Sequence, residues 1–344
     1  MLMSLLKRCV YAIPGAREFL RARRTQLLRE KFRFDCYRAD FRTDKNHIGW
    51  QRSGPDYWKL SSELIFWFHK LEKGLCLPPG ARMWFGKDAA ENTLRLMKEW
   101  RSHSFSVREP VYQAALGTLI AYRDRLKRID DDNASRLQVL SEITEVLAAN
   151  AFDPSYATPL SLLPPPEASF PVLRELSLSR RSTRNFTGEK VDIRLVEQAI
   201  SIAQLSPSAC NRQPWRFHLY DRPEDILKML SLQNGNSGFG HTVPLLGVMC
   251  CDLGTFFDSS ERIEPILDGG LFLMSLLLAL QSLGLSSCCL NWCVTPALDL
   301  RAHEVGSIPM RERILTFLAI GHAATDAVAP LSGRRPMRDV MVMH

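Results

Sequence analysis

The sequence predicts a helical N-terminal layer followed by a second domain of α/β or α+β class. Three observations support this reading. Between residues 57 and 149 apolar side chains recur at spacings of three and four, the period of a helix face. Residues 153–171 hold six prolines (154, 159, 164, 165, 166 and 171), whose fixed φ and missing N–H argue against any helix or central strand there. Beyond the prolines, helical stretches alternate with short apolar runs that read as strands.

Taken in order, Leu2, Leu5, Leu6, Val10 and Ile13 share one helical face, accompanied by Lys7, Arg8, Arg17, Arg21, Arg23 and Arg24 and interrupted at Pro14-Gly15. Residues 1–24 read either as a helix touching anionic lipid or as an arm packed on the body or on a second subunit. Helices are predicted over 57–71, 88–100, 111–129 and 134–149, then over 193–205, 223–232 and 268–283. Strands are predicted over 215–220, 245–251, 286–293 and 314–320. The apolar run 271–280 is shorter than the ~20 residues a membrane span needs, so it reads as a helix buried in the protein or in a subunit interface. The domain limits that follow are 1–152 (helical, its first sixty residues basic and amphipathic), a proline-rich linker 153–171, and 172–344.

Composition narrows the function. With 46% hydrophobic and 24% charged residues, the 344-residue chain is of ordinary globular type, which excludes collagen-like, disordered and disulfide-scaffold classes. Residues 1–60 carry 14 Lys and Arg against 6 Asp and Glu, leaving 30 against 31 for the remainder. A basic end on a neutral body suggests a local contact with a phosphate-rich surface, or solubility alone, rather than nucleic-acid binding. The nine cysteines, several in apolar runs, read as reduced thiols, and with no leader pattern the expected location is the cytoplasm. Cys288, Cys289 and Cys293 cluster, but without a Cys-x2-Cys pair or a histidine between residues 254 and 300 no metal is expected.

Three loops carry forked cationic donors or small polar side chains: Arg180-Arg181-Ser182-Thr183-Arg184-Asn185-Phe186, then 206–215 (Ser-Pro-Ser-Ala-Cys-Asn-Arg-Gln-Pro-Trp), and Gly333-Arg334-Arg335-Pro336. Guanidinium groups match phosphate oxygens bidentately, so together the loops could surround a phosphorylated ligand, whereas each alone could be a solvated face. The glycines at 235, 238 and 240 have the wrong spacing for a dinucleotide fold, and no strand precedes them. They fit a turn, or a contact from Asn234 or Asn236 to a ligand. Near the N-terminus, His69-Lys70-Leu71-Glu72-Lys73-Gly74-Leu75 and Arg82-Met83-Trp84-Phe85-Gly86 suggest two uses. His69, Lys73, Arg82 and Trp84 form a substrate lid within 66–86, or the segment packs a helix end with Gly74 as its C-cap and Lys73 at the negative end of the dipole.

The order Arg-Arg-Ser-x-Arg-x-Phe, Ser-Pro-Ser-x-x-Asn-x-Gln-Pro-Trp, an Asp-Gly-Gly-led apolar helix, Leu-Ala-Ile-Gly and Arg-Arg-Pro resembles the FMN-dependent nitroreductase family over roughly 170–344. The helical preface with His-Lys-Leu-Glu-Lys-Gly-Leu more loosely resembles nitroreductase-type proteins of bacterial surface-polysaccharide loci. The resemblance implies an α+β fold, a mixed sheet flanked by helices. It also implies a homodimer in which Arg180, Arg181 and Ser182 hold the FMN phosphate, with Arg334 or Arg335 as a further cation. Arg184 would face flavin N1 and the C2 carbonyl, where a cation at ~4 Å supplies about 4 kcal/mol to a negative ring at an effective dielectric of 20. Pro207, Ser208, Ala209 and Asn211 would reach the flavin of the other subunit, Gln213 would order that loop, and the backbone of Leu290 and Asn291 would meet flavin N5. Trp292 would either stack over substrate or close a core strand.

The function so implied is ping-pong hydride transfer from NADH or NADPH through FMN to a small organic acceptor. Two other readings remain: a flavin-binding or flavin-modifying protein that uses no nicotinamide, and a scaffold of polysaccharide-assembly machinery.

Overall fold

In a computed structural model of the chain, which describes residues 16–50, 56–78, 84–129 and 132–344, the basic segment forms one long helix, α1 (Ala16–His47). Most of it is exposed, including Phe19, Phe34, Tyr37 and Phe41. Only its C-terminal end is fastened: Arg313 donates to Asp44 at 2.7 Å, and Ile48 beyond the helix is buried with Leu253 and Phe256. The predicted 1–24 helix is thus described only from Ala16 onward, and residues 1–15 lie outside the described residues.

The helical layer consists of α2 (Tyr57–Leu75), α3 (Lys87–Ser102), α4 (Pro110–Leu126) and α5 (Ala134–Ala148). Asp56 starts α2 by accepting the Trp58 N–H at 3.0 Å, Pro110 occupies the first turn of α4, and Asn133 caps α5. The 3–4 periodicity faces inward, where Leu64, Phe68, Leu94, Trp100, Leu116 and Tyr122 share one core. Gly74 is not the C-cap expected of it; α2 runs on to Leu75 and Cys76 is the cap. A Cβ on Gly74 would fall 1.9 Å from the Phe85 ring, so the glycine lets that ring pack against the helix backbone.

The proline-rich stretch holds more structure than the sequence suggests. α6 (Ser169–Ser179) begins inside it, with Pro171 in the first turn, where backbone N–H groups have no helical partner to lose. The remaining elements are α7 (Ile193–Ala203), β1 (Trp215–Tyr220), α8 (Pro223–Leu230), β2 (Leu245–Asp252), α9 (Glu264–Ser282), β3 (Ser286–Asn291), α10 (Pro296–Gly306) and β4 (Glu312–Gly321). The strands form one sheet in the order β1-β2-β4-β3 with antiparallel ladders throughout; the parallel component is a bridge from Ser182 to Ser287. α8 and α10 cover one face over Val248, Cys250, Leu290 and Phe317, and α7 and α9 the other over Met249, Cys251, Leu318 and Ile320. The chain is therefore α+β: a helical layer beside a three-layer α–sheet–α unit. By length and composition α9 could cross a membrane, but here Phe272, Leu276 and Leu280 pack it against the sheet.

Arg311 ties the helical layer to the sheet unit. Its guanidinium pairs with Asp56, the cap of α2, and at 3.0 Å with Asp252, which is fully buried at the end of β2. Burial pushes the Asp252 carboxyl up to about 6, with Arg311 and the Gly254 N–H offsetting only some of the cost. A raised folded pKa means that the contribution to stability is complete below the unfolded value near 4 and is lost as pH rises through about 6. Asp252→Asn keeps an acceptor for Gly254 and removes the titration. Between pH 4.5 and 7.5 the variant should gain on the parent protein by about 2 kcal/mol, read by thermal melts across that window. A constant difference between the two would contradict the assignment.

Candidate functional site

The Arg-rich loop is stitched to two strands. Arg180 ends α6, and Thr183 N–H donates to the Ser287 carbonyl at 3.0 Å. Farther on, Phe186 bridges to Ala323 and Asn185 donates to Asp326 at 2.9 Å, with the Phe186 ring lying where a Cβ on Gly321 would go. Arg180, Arg181 and Arg184 are thereby held beside the outer edge of β3. Among the described residues none of the three meets a carboxylate: Arg181 donates to the Arg180 carbonyl and Arg184 to the Ser182 carbonyl at 3.4 Å. Burial pushes the Cys288 thiol up, and Arg184, Ser182 and Arg180 pull it partly back, which locates all three around one point of the strand.

That strand edge is open beyond Ser287. Because the Ser287 carbonyl points away from β4, the two-residue period turns the backbone groups of Cys289 and Asn291 outward and those of Leu290 inward to Phe317. The outward carbonyl of Asn291 accepts from Gln233 at 2.9 Å. Leu290 is buried, so an N–H at this edge comes from Cys289 or Asn291, not from Leu290. Gln233 in turn accepts the Gly235 N–H, and the Asn236 amide is spent on the Leu230 and Gln233 carbonyls, so the glycine-rich stretch is a turn that braces the end of β3. β3 stops at Asn291 rather than Cys293. Trp292 leaves the strand to stack on Phe317, with ring centres 4.5 Å apart, and donates to Asp299 at 2.7 Å; it closes the core.

The 206–213 loop leads from α7 to β1 and is anchored on α9. Ser206 donates to Ser275 at 2.8 Å, and the Ala209 N–H meets both oxygens of Asp268 at 3.1 Å. Burial raises the Asp268 carboxyl to about 6, offset in part by that N–H. Within the loop Gln213 N–H donates to Ser208 Oγ at 3.0 Å, and the Gln213 amide donates to the Asn211 carbonyl at 3.1 Å. Cys210, Asn211 and Gln213 have φ of 51°, 55° and 54°, a conformation that costs non-glycine residues about 1 kcal/mol or more each. Pro207 and Asn211 are left exposed.

What holds this strained loop is Arg212, whose role the sequence reading missed. It is 1% exposed, donates to Glu261 with both Nη atoms and to the Ala209 carbonyl at 2.9 Å, and lies 5.2–6.0 Å from the ring centres of Trp50, Phe66, Phe256 and Phe257. Phe66 belongs to α2, so the helical layer packs directly on the loop.

Other expected residues are not drawn in. Arg334 and Arg335 are exposed and make no hydrogen bond or ion pair with the 180–184 loop; Arg334 turns back on the Ser332 carbonyl. His69 pairs with Glu72 at 2.8 Å and Lys73 is exposed, while Trp84 lines a cleft and Arg82 lies outside the described residues. His218, Cys250 and Glu312 bring ligating atoms within 4.8 Å of one another. Glu312 is already shared by Arg216 at 3.2 Å and His218 at 2.5 Å. Burial alone would raise its carboxyl, yet these two partners hold it below the ordinary range. Burial keeps the Cys250 thiol protonated, so the group has the character of an ion network rather than of ligands ready for a metal.

An antiparallel sheet with unneutralised guanidinium groups on its open β3 edge defines a domain suited to an anionic ligand, while the strained 206–213 loop leads into β1 at the opposite edge. Residues 178–233 match the model of the nitroreductase family, a span that includes both the arginine loop and the 206–213 loop. The chain is also similar to solved structures. A nitroreductase family protein from Streptococcus pneumoniae TIGR4 is 24% identical, with 50% of this chain and 100% of that one covered and a TM-score of 0.43. An FMN-dependent nitroreductase from Clostridium difficile R20291 is 20% identical, with 45% and 90% covered and a TM-score of 0.39.

Proposed function

We propose that the chain is an FMN-dependent oxidoreductase, a homodimer that passes hydride from NADH or NADPH to a small organic acceptor. The observation that carries this reading is the trio Arg180, Arg181 and Arg184, gathered without an acid partner at one strand edge inside the family match. Like charges about 4 Å apart repel by about 1 kcal/mol even in water, and a bound phosphate would turn that repulsion into attraction. In this reading Arg180, Arg181 and Ser182 bind the phosphate, Arg184 the pyrimidine edge of the ring, and the outward N–H of Cys289 or Asn291 the N5 side. The 206–213 loop of a second copy closes the site and excludes water. Bound FMN would supply the two-electron chemistry at N5. No acid or base from the protein is needed to move the hydride.

Heat release of the flavin from purified protein should yield FMN, one per chain, and the protein should oxidise NADH or NADPH with parallel double-reciprocal lines against a quinone or nitroaromatic acceptor. Recovery of FAD, or colourless protein that takes up no added FMN, would overturn the reading. Bound FMN without nicotinamide oxidation would leave a flavin-binding protein. Because phosphate charge is the same in both redox states while ring charge appears only on reduction, Arg184→Ala should lower the flavin potential more than Arg180→Ala does. Arg180→Ala should mainly weaken binding. Equal potentials in the two variants would refute the division of roles.

A further inference from the structure

α2 and the first turn of α3 border a cleft of about 520 Å³, within the range of small-molecule sites. Its walls include Trp67, Trp84 and Phe85, and its cations are Lys70 and Lys87. Lys70 Nζ lies 4.1 Å from the ring centre of Phe66 and 4.0 Å from that of Trp67, so aromatic faces hold the ammonium, and among the described residues no carboxylate forms an ion pair with it. Burial lowers the Lys70 pKa, the mark of a partly dried charge, and in such a place an incoming anion gains more than at an open surface. Lys87 reaches only Glu91, at 3.8 Å between two half-exposed side chains, a pair of little strength. Asp88 supplies an opposing charge. α2, which carries Lys70, also packs on the 209–211 turn of the 206–213 loop.

We infer that this cleft binds a flat aromatic monoanion, with its ring against Trp67 and Trp84 and its acid group between Lys70 and Lys87. Resting on the oxidoreductase reading, the cleft then selects anionic aromatic acceptors over neutral ones. Neutral rings would find the same walls but leave the partly desolvated Lys70 ammonium without an anion, so the preference comes from charge.

Calorimetric titration of the FMN-loaded protein at low salt, with 4-nitrobenzoate and with neutral 4-nitrobenzyl alcohol, tests the inference without turnover. The acid should bind at least tenfold more tightly. Lys70→Glu should abolish that preference, Lys70→Met should reduce it while keeping the aliphatic stem, and Lys87→Glu should weaken it. Lys98→Glu, three turns along α3, should leave it intact. Equal affinity for acid and alcohol, or a preference unchanged in both Lys70 variants, would overturn the inference. Retained preference in a protein that oxidises no nicotinamide with either compound would instead leave the cleft assigned and remove the oxidoreductase reading.

Discussion

Replacing Arg212 with Met will lower the unfolding free energy by about 3–5 kcal/mol, the usual cost of removing one partner from a buried ion pair. The variant leaves Glu261, only 13% exposed, without its cation and the Thr255 carbonyl without its side-chain donor, among four aromatic rings; the Ala209 carbonyl keeps only the backbone N–H of residue 212. The three left-handed residues beside Arg212 persist only while their surroundings over-determine them, so the loop should relax and flavin affinity should fall with it. Adding Glu261→Gln to the variant removes the stranded charge and should recover more than half of the lost stability. Urea denaturation of the flavin-free protein at one fixed concentration is the appropriate measurement, since ligand and self-association both shift apparent stability. A loss below about 1 kcal/mol would mean that Asp268 and Ser275 hold the loop without help from the buried pair.

The contrast between what the sequence discloses and what it conceals follows from the range of the interactions. α2, α3, α4 and α5 and the four described strands are readable because period and punctuation are local: Asp56, Pro110 and Asn133 mark helix starts, and short apolar runs mark strands. The arginine loop and the 206–213 loop were readable as motifs for the same reason. Arg212 was not, because Glu261 lies 49 residues away and its rings come from positions 50, 66, 256 and 257. α6 was hidden by a proline that a first turn tolerates, and α10 by its short, mixed face, although Thr295-Pro296 is a start signal. In the 66–86 segment the sequence singles out His69 and Lys73, whereas the cation that lines the cleft from α2 is Lys70. Its significance depends on α2 packing against the 209–211 turn, a contact across more than a hundred residues.

Leu267→Arg combined with Leu271→Arg should convert the protein to monomers and release its flavin together. Along α9 Ile263, Ile266, Leu267 and Met274 are 60%, 56%, 53% and 47% exposed on one stripe, opposite the face that Phe272, Leu276 and Leu280 bury against the sheet. Ile202 and Leu205 on the neighbouring α7 extend the patch, which is the kind of surface a soluble chain covers with a partner. A two-fold contact there would place four new arginines in one apolar interface, a desolvation cost of several kcal/mol for each charge left unpaired. The same stripe adjoins the 206–213 loop, because Ser206 also reaches the Leu271 carbonyl at 3.4 Å. Ser275 would make a poorer test: its hydroxyl already holds Ser206, and a charge there would break the loop directly. Size-exclusion chromatography with light scattering, followed at both the protein and the flavin absorbance bands, reads mass and cofactor in one run. A folded monomer that keeps its flavin would show that one chain completes the site, and a dimer that survives both arginines would place the interface on another face.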